Sequence, residues 1–231
     1  MQNSNIVHLE NVIKTYQQGK IAVHAVNDIS LDIKTGDFAA LCGPSGSGKT
    51  TLLNMIGGLD TPTHGKILLE GHDLASLTRS QLSNIRRDRI GFVFQAYNLI
   101  PVMTAYENTA FVLNLQGLSQ QQCHDRVMQV LQEVGLAGLE NRRPDEMSGG
   151  QQQRVAIARA IVTRPAIVLA DEPTANVDSA TAEALLDLMQ GLNQNDNITF
   201  LFSTHDPRVM QRAKRLIRLR DGALEQDEVR H

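Results

Sequence analysis

The chain has 231 residues, 42% of them hydrophobic and 20% charged, enough to bury one large domain or a core with a smaller lobe, which excludes intrinsic disorder. Its formal net charge of -3 lacks the basic excess that binds a phosphate backbone, so no nucleic acid is expected as a partner. The two cysteines, Cys42 and Cys123, lie far apart without paired spacing, which argues against a disulfide framework or a zinc site and fits a reducing compartment.

The segment Met1 to Asn5 lacks the basic start and apolar core of a secretory signal, and no run approaches the ~18 apolar residues of a membrane span. The expectation is a soluble chain, so that any transport role would use a membrane part on another polypeptide. Short apolar runs then alternate with helical patterns, which predicts an α/β fold. The expected strands are Ile6–Ile13, Ile29–Ile33, Phe38–Cys42, Lys66–Glu70, Ile90–Phe94, Ala166–Ala170, Ile198–Phe202 and Arg215–Leu219. The early ones are joined by Gly turns at Thr35-Gly36-Asp37 and Glu70-Gly71-His72, so the sheet core should be mixed, with an antiparallel portion beside parallel strands. From Thr104 to Met147 helical patterns dominate, around Tyr106–Leu115 and Gln120–Val134. The expected layout is one domain over 1–231, with a core formed by 1–94 and 166–231 and an inserted helical lobe at about 95–165. Asp221-Gly222 signals a hairpin near the carboxyl end, which leaves no room for an appended regulatory domain.

Gly43-Pro44-Ser45-Gly46-Ser47-Gly48-Lys49-Thr50 fits the P-loop pattern, and it stands between the strand Phe38–Cys42 and the helical pattern Thr51–Ile56. Glycines let backbone N–H groups turn around a phosphate, the helix adds the positive end of its dipole and Lys49 adds a point charge. Thr50 can place its hydroxyl on Mg²⁺. The strand Ile167–Ala170 ends in Asp171 and Glu172, at the sheet edge where ligands bind. Asp171 is a Mg²⁺ ligand candidate and Glu172 the candidate for activating a water. Adjacent strand residues point to opposite faces, so the two acids can share a site only if the chain turns between them. Asp178-Ser179 is the better helix cap. His205 follows the strand Ile198–Phe202 and precedes Asp206-Pro207, a helix start on the same edge. The other histidines read as structural.

Met147-Ser148-Gly149-Gly150-Gln151 opens an amphipathic helix expected to run to Arg164, where Pro165 stops it. It is a second helix start suited to an anion, and on physical grounds alone Ser148 is only its N-cap.

Together, the P-loop, Ser148-Gly-Gly-Gln151, the Asp171-Glu172 strand end and His205 resemble, in order and spacing, the nucleotide-binding domain of ABC transporters. In that family two domains face head to tail, and the Ser-Gly-Gly-Gln helix of one closes over the ATP held by the other. The resemblance implies ATP and Mg²⁺ as ligands, an ATP-dependent homodimer and an integral-membrane permease. Tyr16 looks like the aromatic that stacks on adenine, and Gln95 like the glutamine that reaches Mg²⁺ and the attacking water. Ala175-Asn-Val-Asp178 looks like the loop that touches the opposite subunit's site, while Thr51 closes the P-loop set. The runs Gly91–Pro101, Leu52–Asp60 and Gln151–Arg159 are most similar to the ATPases of lipoprotein-release and macrolide-export systems. This implies a permease with large extracytoplasmic domains and a place on the cytoplasmic face of the bacterial inner membrane. Tyr97, Leu99, Ile100 and Pro101 are the candidates for a permease groove. Departures from the family pattern are Met147 in place of leucine, and Ala175 and Val177 in place of glycine and leucine. Three other readings stay open: a soluble ABC-type ATPase of DNA repair or translation, an ATP-gated regulator of a cell-envelope enzyme, and a P-loop kinase, which would leave Ser148 to Gln151 unused.

Overall fold

Hydrophobic alternation along one short strand organises the whole molecule. In β3 (Phe38–Cys42), Phe38, Ala40 and Cys42 face one core and Ala39 and Leu41 face another, so all five side chains are buried. The computed structural model describes residues 5–19 and 21–230; the readings of the first four residues and of His231 lie outside them.

Around β3 stand β6 (Ile90–Val93), β7 (Ile167–Asp171), β8 (Thr199–Thr204), β9 (Arg215–Arg220) and β10 (Ala223–Val229), in the order β10-β9-β3-β8-β7-β6. All are parallel except β10, which returns from β9 as the hairpin expected at Asp221-Gly222. A second, antiparallel sheet joins β1 (Asn5–Gln18), β2 (Ile21–Lys34), β4 (His64–Leu69) and the short β5 (His72–Asp73) in the order β2-β1-β4-β5. The mixed architecture expected from the sequence is therefore present. β1 and β2 run well beyond Ile6–Ile13 and Ile29–Ile33. The first residues of β2, Ile21 to His24, are exposed and carry no inward alternation; their pairing rests on the ladder itself, with Tyr16 opposite Val23.

The helices are α1 (Lys49–Ile56), α2 (Arg79–Arg89), α3 (Ala105–Leu115), α4 (Gln120–Glu133), α5 (Gly149–Ile161), α6 (Ser179–Asp196) and α7 (Pro207–Arg212). Reciprocal capping boxes start α2 (Thr78 with Gln81), α3 (Thr104 with Glu107), α4 (Ser119 with Gln122) and α5 (Ser148 with Gln151), satisfying amides that have no partner within the helix. No pattern announced α2, because it buries none of its residues; its cap and the basic Arg86, Arg87 and Arg89 in its last turn support it instead. α5 ends before the expected Arg164, which adopts a left-handed φ of 54° ahead of Pro165. Among the described residues, the stretch 95–165 contains no strand.

The two faces of the parallel sheet have separate cores. On one, Phe38 packs edge-on against the stacked rings of Phe200 and Phe202, with Phe38 and Phe202 centroids 4.8 Å apart, together with apolar residues of α3 to α7. On the other, Leu41, Leu169 and Leu201 meet α1 and the antiparallel sheet. Each such fully buried Leu or Phe contributes about 1.5–3 kcal/mol of burial, so both cores hold the sheet rigidly. No helix among the described residues is long and apolar enough to cross a membrane.

Candidate nucleotide site

The neighbouring parallel strands β3, β8, β7 and β6 deliver their carboxyl ends to one edge, and each runs into a residue singled out in the sequence. β3 leads to the P-loop, β8 to His205, β7 to Asp171 and Glu172, and β6 to Gln95. An open cleft of about 610 Å³ lies along this edge, lined by residues 44–51 with Ala25, Gln95, Glu172 and His205.

Gly48 precedes α1 with φ 94° and offers no side-chain cap, so the first amides of α1 are left for a ligand. Glycine is required there twice over, since a Cβ would also stand 2.3 Å from the Ala25 carbonyl oxygen of β2. Lys49 is only 8% exposed. Its Nζ donates to the carbonyl oxygens of Gly43 at 2.9 Å and Pro44 at 2.8 Å, and more weakly to Ser47 Oγ at 3.4 Å. The ammonium thus sits at the centre of the loop, bound to neutral oxygens that an incoming phosphate would outcompete.

Thr50 Oγ1 donates to Asp171 Oδ1 at 3.1 Å, placing two hard oxygen donors together, with Gln95 in the same cleft. This set fits Mg²⁺, which takes few protein oxygens and fills its remaining positions from phosphate and water. Bound there, Mg²⁺ would neutralise charge on the transferring phosphate. Among the described residues no three His, Cys, Asp or Glu side chains form a metal cage.

The chain does turn between the two acids. Asp171 is still in the β ladder, opposite Ser203, whereas Glu172 has a left-handed φ of 45°. The turn swings the Glu172 carboxylate to β8, where Oε2 accepts from Thr204 Oγ1 at 2.9 Å and Oε1 from the His205 amide at 3.1 Å. His205 Nδ1 donates to the same Oε1 at 2.5 Å. The Glu172 side chain is 15% exposed and that of His205 76%. The carboxylate is thus fixed at the cleft wall, with an exposed imidazole beside it.

Gln95 is held through the backbone. Asn176 Nδ2 donates to the Gln95 carbonyl at 2.9 Å, and Tyr97 Oη donates to the Asn176 carbonyl at 3.0 Å. Arg159, from the last turn of α5, donates to the carbonyls of Tyr97 and Asn98, both in left-handed conformation. Burial pulls the Arg159 guanidinium down from its ordinary value. Arg159 was not singled out in the sequence, although a charged residue following buried Val155 to Ala158 on one helix was the available signal.

The remaining predicted residues lie elsewhere. Ser148, Gly149, Gly150 and Gln151 form the start of α5 and do not line the cleft; Ser148 Oγ accepts from the Gln151 amide at 3.3 Å, and Gln151 Oε1 accepts from the Ser148 amide at 2.9 Å. Asp178 N-caps α6, accepting from the amide and hydroxyl of Thr181, which hold its carboxyl below the usual range. Tyr16 is outside the cleft lining on β1, the residue 39% exposed and its hydroxyl donating to Asp60 Oδ2 at 2.6 Å. Of the four groove candidates, Leu99 packs into the core and Tyr97 is engaged with Asn176, while Ile100 lines a separate groove of about 490 Å³.

Comparison with known proteins agrees with this geometry. The family described as ABC transporter matches residues 26–175. The macrolide export ATP-binding/permease protein MacB of Syntrophobacter fumaroxidans is 46% identical over 223 residues, covering 96% of this chain and 31% of that protein. The chain spans about a third of the length of the MacB relatives it matches. The uncharacterized ABC transporter ATP-binding protein MJ0796 of Methanocaldococcus jannaschii is 44% identical, covering 96% of this chain and 97% of that protein. The dimeric structure of the MJ0796 cassette in a post-hydrolysis state bound to ADP and Pi aligns with a TM-score of 0.90 at 43% identity, over 97% of this chain and 99% of that one. With a P-loop, an acid pair, His205 and Gln95 on one sheet edge and these relatives over nearly its full length, the chain belongs to the ABC transporter family, as one of its ATP-binding, ATP-hydrolysing cassettes.

Proposed function

We propose that two copies of this chain close head to tail over two Mg-ATP molecules and, by hydrolysing them, drive export through a membrane permease. The observation that carries the reading is the position of Ser148 to Gln151. α5 begins with amides of Gly149 and Gly150 suited to an anion, yet this start does not line the chain's own phosphate cleft, so its ligand is the nucleotide of a second copy. Within each site Tyr16 stacks on adenine, the P-loop through Thr51 with Lys49 holds the phosphates, and Thr50, Asp171 and Gln95 hold Mg²⁺. Glu172, oriented by Thr204 and His205, accepts the proton of the attacking water, and Asp178 lies in the loop facing the other copy. Loss of the γ-phosphate then releases the two halves, and the helices of residues 95–165 carry the motion.

The permease segment is assigned to the groove between α2, α3 and β6, where Phe92, Phe94, Ile100, Phe111 and Leu115 present apolar surface beside Leu59. Leu59, Phe111 and Leu115 are exposed, as suits a short apolar helix from a partner. The names of the MacB relatives, macrolide export ATP-binding/permease proteins, support export and a permease partner; the extracytoplasmic domains of that permease and the place of the chain at the cytoplasmic face of the inner membrane rest on the sequence resemblance. The test is ATP turnover and particle mass by light scattering for wild type, Glu172→Gln and Lys49→Ala. Glu172→Gln should stop turnover and accumulate an ATP-dependent dimer that Lys49→Ala cannot form. Normal turnover by Glu172→Gln, or a monomer in ATP even with permease present, would sink the mechanism.

A further inference from the structure

The aromatic ring of Tyr16 is gripped by residues from outside its own sheet. Its hydroxyl donates to Asp60 Oδ2 at 2.6 Å. Asp60 is itself fixed: Oδ1 accepts from Lys14 Nζ at 2.5 Å and from the Thr61 amide at 2.7 Å, and the Asp60 amide donates to the Asn54 carbonyl of α1 at 3.3 Å. Lys14 Nζ donates in addition to the Thr61 carbonyl at 2.8 Å and stands 4.8 Å from the centre of the Tyr16 ring, over one of its faces. Although burial pushes it up, these bonds from Lys14, Tyr16 and Thr61 together hold the Asp60 carboxyl below its usual range, so it is an anion at neutral pH.

The geometry points to Asp60 as a positioning residue for the base of the nucleotide: with Lys14 it locks the Tyr16 ring in one orientation relative to the P-loop helix. This rests on the reading of Tyr16 as the adenine platform. A stacking platform that rocks loses affinity, because the orientation must be fixed at the moment of binding. Here the cation covers one ring face and the hydroxyl is anchored, so the other face alone is left for a base. The anchor also spans two parts of the fold, since Tyr16 lies on the antiparallel sheet whereas Asp60 follows the helix that receives the phosphates and is bonded to its Asn54 carbonyl. Base and triphosphate are thereby held at a fixed separation.

The experiment compares a ligand with a base to one without. The full chain is assayed for ATP turnover as a function of ATP, and for inhibition by Mg-tripolyphosphate, with Asp60→Ala, Asp60→Asn, Tyr16→Ala and the Tyr16→Ala/Asp60→Ala pair. Asp60→Ala should raise KM for ATP about tenfold and leave kcat within about twofold, with tripolyphosphate inhibition unchanged, since a hydrogen bond to a charged group is being removed. Asp60→Asn, which keeps an acceptor for Tyr16 but loses the Lys14 ion pair, should fall between wild type and Asp60→Ala. In the Tyr16→Ala background Asp60→Ala should have no further effect on KM. If Asp60→Ala weakens ATP and tripolyphosphate equally, Asp60 merely supports the fold and the inference is overturned. If Tyr16→Ala raises KM for ATP but Asp60→Ala does not, the inference fails while the platform reading stands. If Tyr16→Ala leaves ATP binding unchanged, the platform reading itself fails, and the role given to Asp60 falls with it.

Discussion

Arg159 Nη2 donates to the Tyr97 carbonyl at 2.9 Å, tying the last turn of helix α5 to the loop that carries Gln95. The same helix begins at Ser148, the end assigned to the other copy's nucleotide, so one rigid rod touches both sites of the proposed dimer. Arg159→Lys should keep the positive charge but lose the fork that bonds two carbonyls at once. We predict a kcat reduced roughly ten- to hundredfold by misplacement of Gln95, with the Kd for ATP changed less than about twofold. Steady-state turnover beside equilibrium ATP binding measures both; equal losses in the two would refute a role confined to the loop.

The short contact between His205 and Glu172 makes a second prediction. His205→Ala removes the ring that orients Glu172 Oε1 but leaves the Thr204 hydroxyl and the backbone amide in place. Turnover should fall about 10²-fold, the order expected when a general base loses its orientation, while ATP-dependent dimerisation persists. A His205→Ala enzyme within about threefold of wild type would show that the two hydrogen bonds left suffice.

Asn108 is fully buried and spends its whole amide on one loop, donating to the carbonyls of Ile100, Met103 and Thr104 and accepting from the Ile100 amide at 2.8 Å. Asn108→Ala would strand the Ile100 amide and the Met103 carbonyl, since the Ile100 and Thr104 carbonyls also accept backbone amides, and should cost about 2–3 kcal/mol. For a chain of this size that corresponds to a melting temperature lower by roughly 4–10 °C. Because the loop shapes the groove at Ile100, permease-stimulated turnover should suffer more than basal turnover. Thermal melts and the two activities decide it, and an unchanged melting temperature would contradict the accounting.

Asp206 contributes an acid-sensitive part of stability. Burial pushes its carboxyl up, but bonds from Arg208, in side chain and amide, and from the Thr174 hydroxyl outweigh this and bring it below the usual range. In the window between the depressed folded value and the ordinary unfolded value near 3.9, the unfolded chain binds more protons. This stability is therefore present above that window and is lost as pH falls through it. Asp206→Asn should flatten the acid limb of a melting-temperature profile taken between about pH 3 and pH 6; an acid limb of unchanged slope would count against it.

The gathering of candidate residues at the strand ends was legible because they lie in contiguous runs whose neighbours explain them: a strand, then Gly43 to Thr50, then a helix. The parallel strands were equally clear, since Ile167 to Ala170 is apolar throughout and buried on both faces. Asp60, Arg159 and Asn108 were not, for a shared reason. Each is one polar residue whose importance comes from partners distant in sequence or from loop backbone, as in the 44 residues separating Tyr16 from Asp60, and no local pattern records such a meeting. Helix α2 was missed because it buries nothing, so hydrophobic periodicity, the main signal for a helix, was absent. The turn at Glu172 lay between these cases. The pairing of two acids at a strand end demanded a reversal, but only the left-handed backbone of Glu172 gives its direction.

β3 belongs to both cores at once, its odd and even residues facing opposite sides of the sheet. The P-loop continues directly from this strand, so the part of the site that holds the phosphates is clamped like the fulcrum of a balance, with the antiparallel sheet on one arm and the helices of α3 to α5 on the other. Motion that matters must then come from the arms turning about it. In the proposed dimer, a mutation that loosens either arm will change how the two sites communicate long before it disturbs how a single site grips a phosphate.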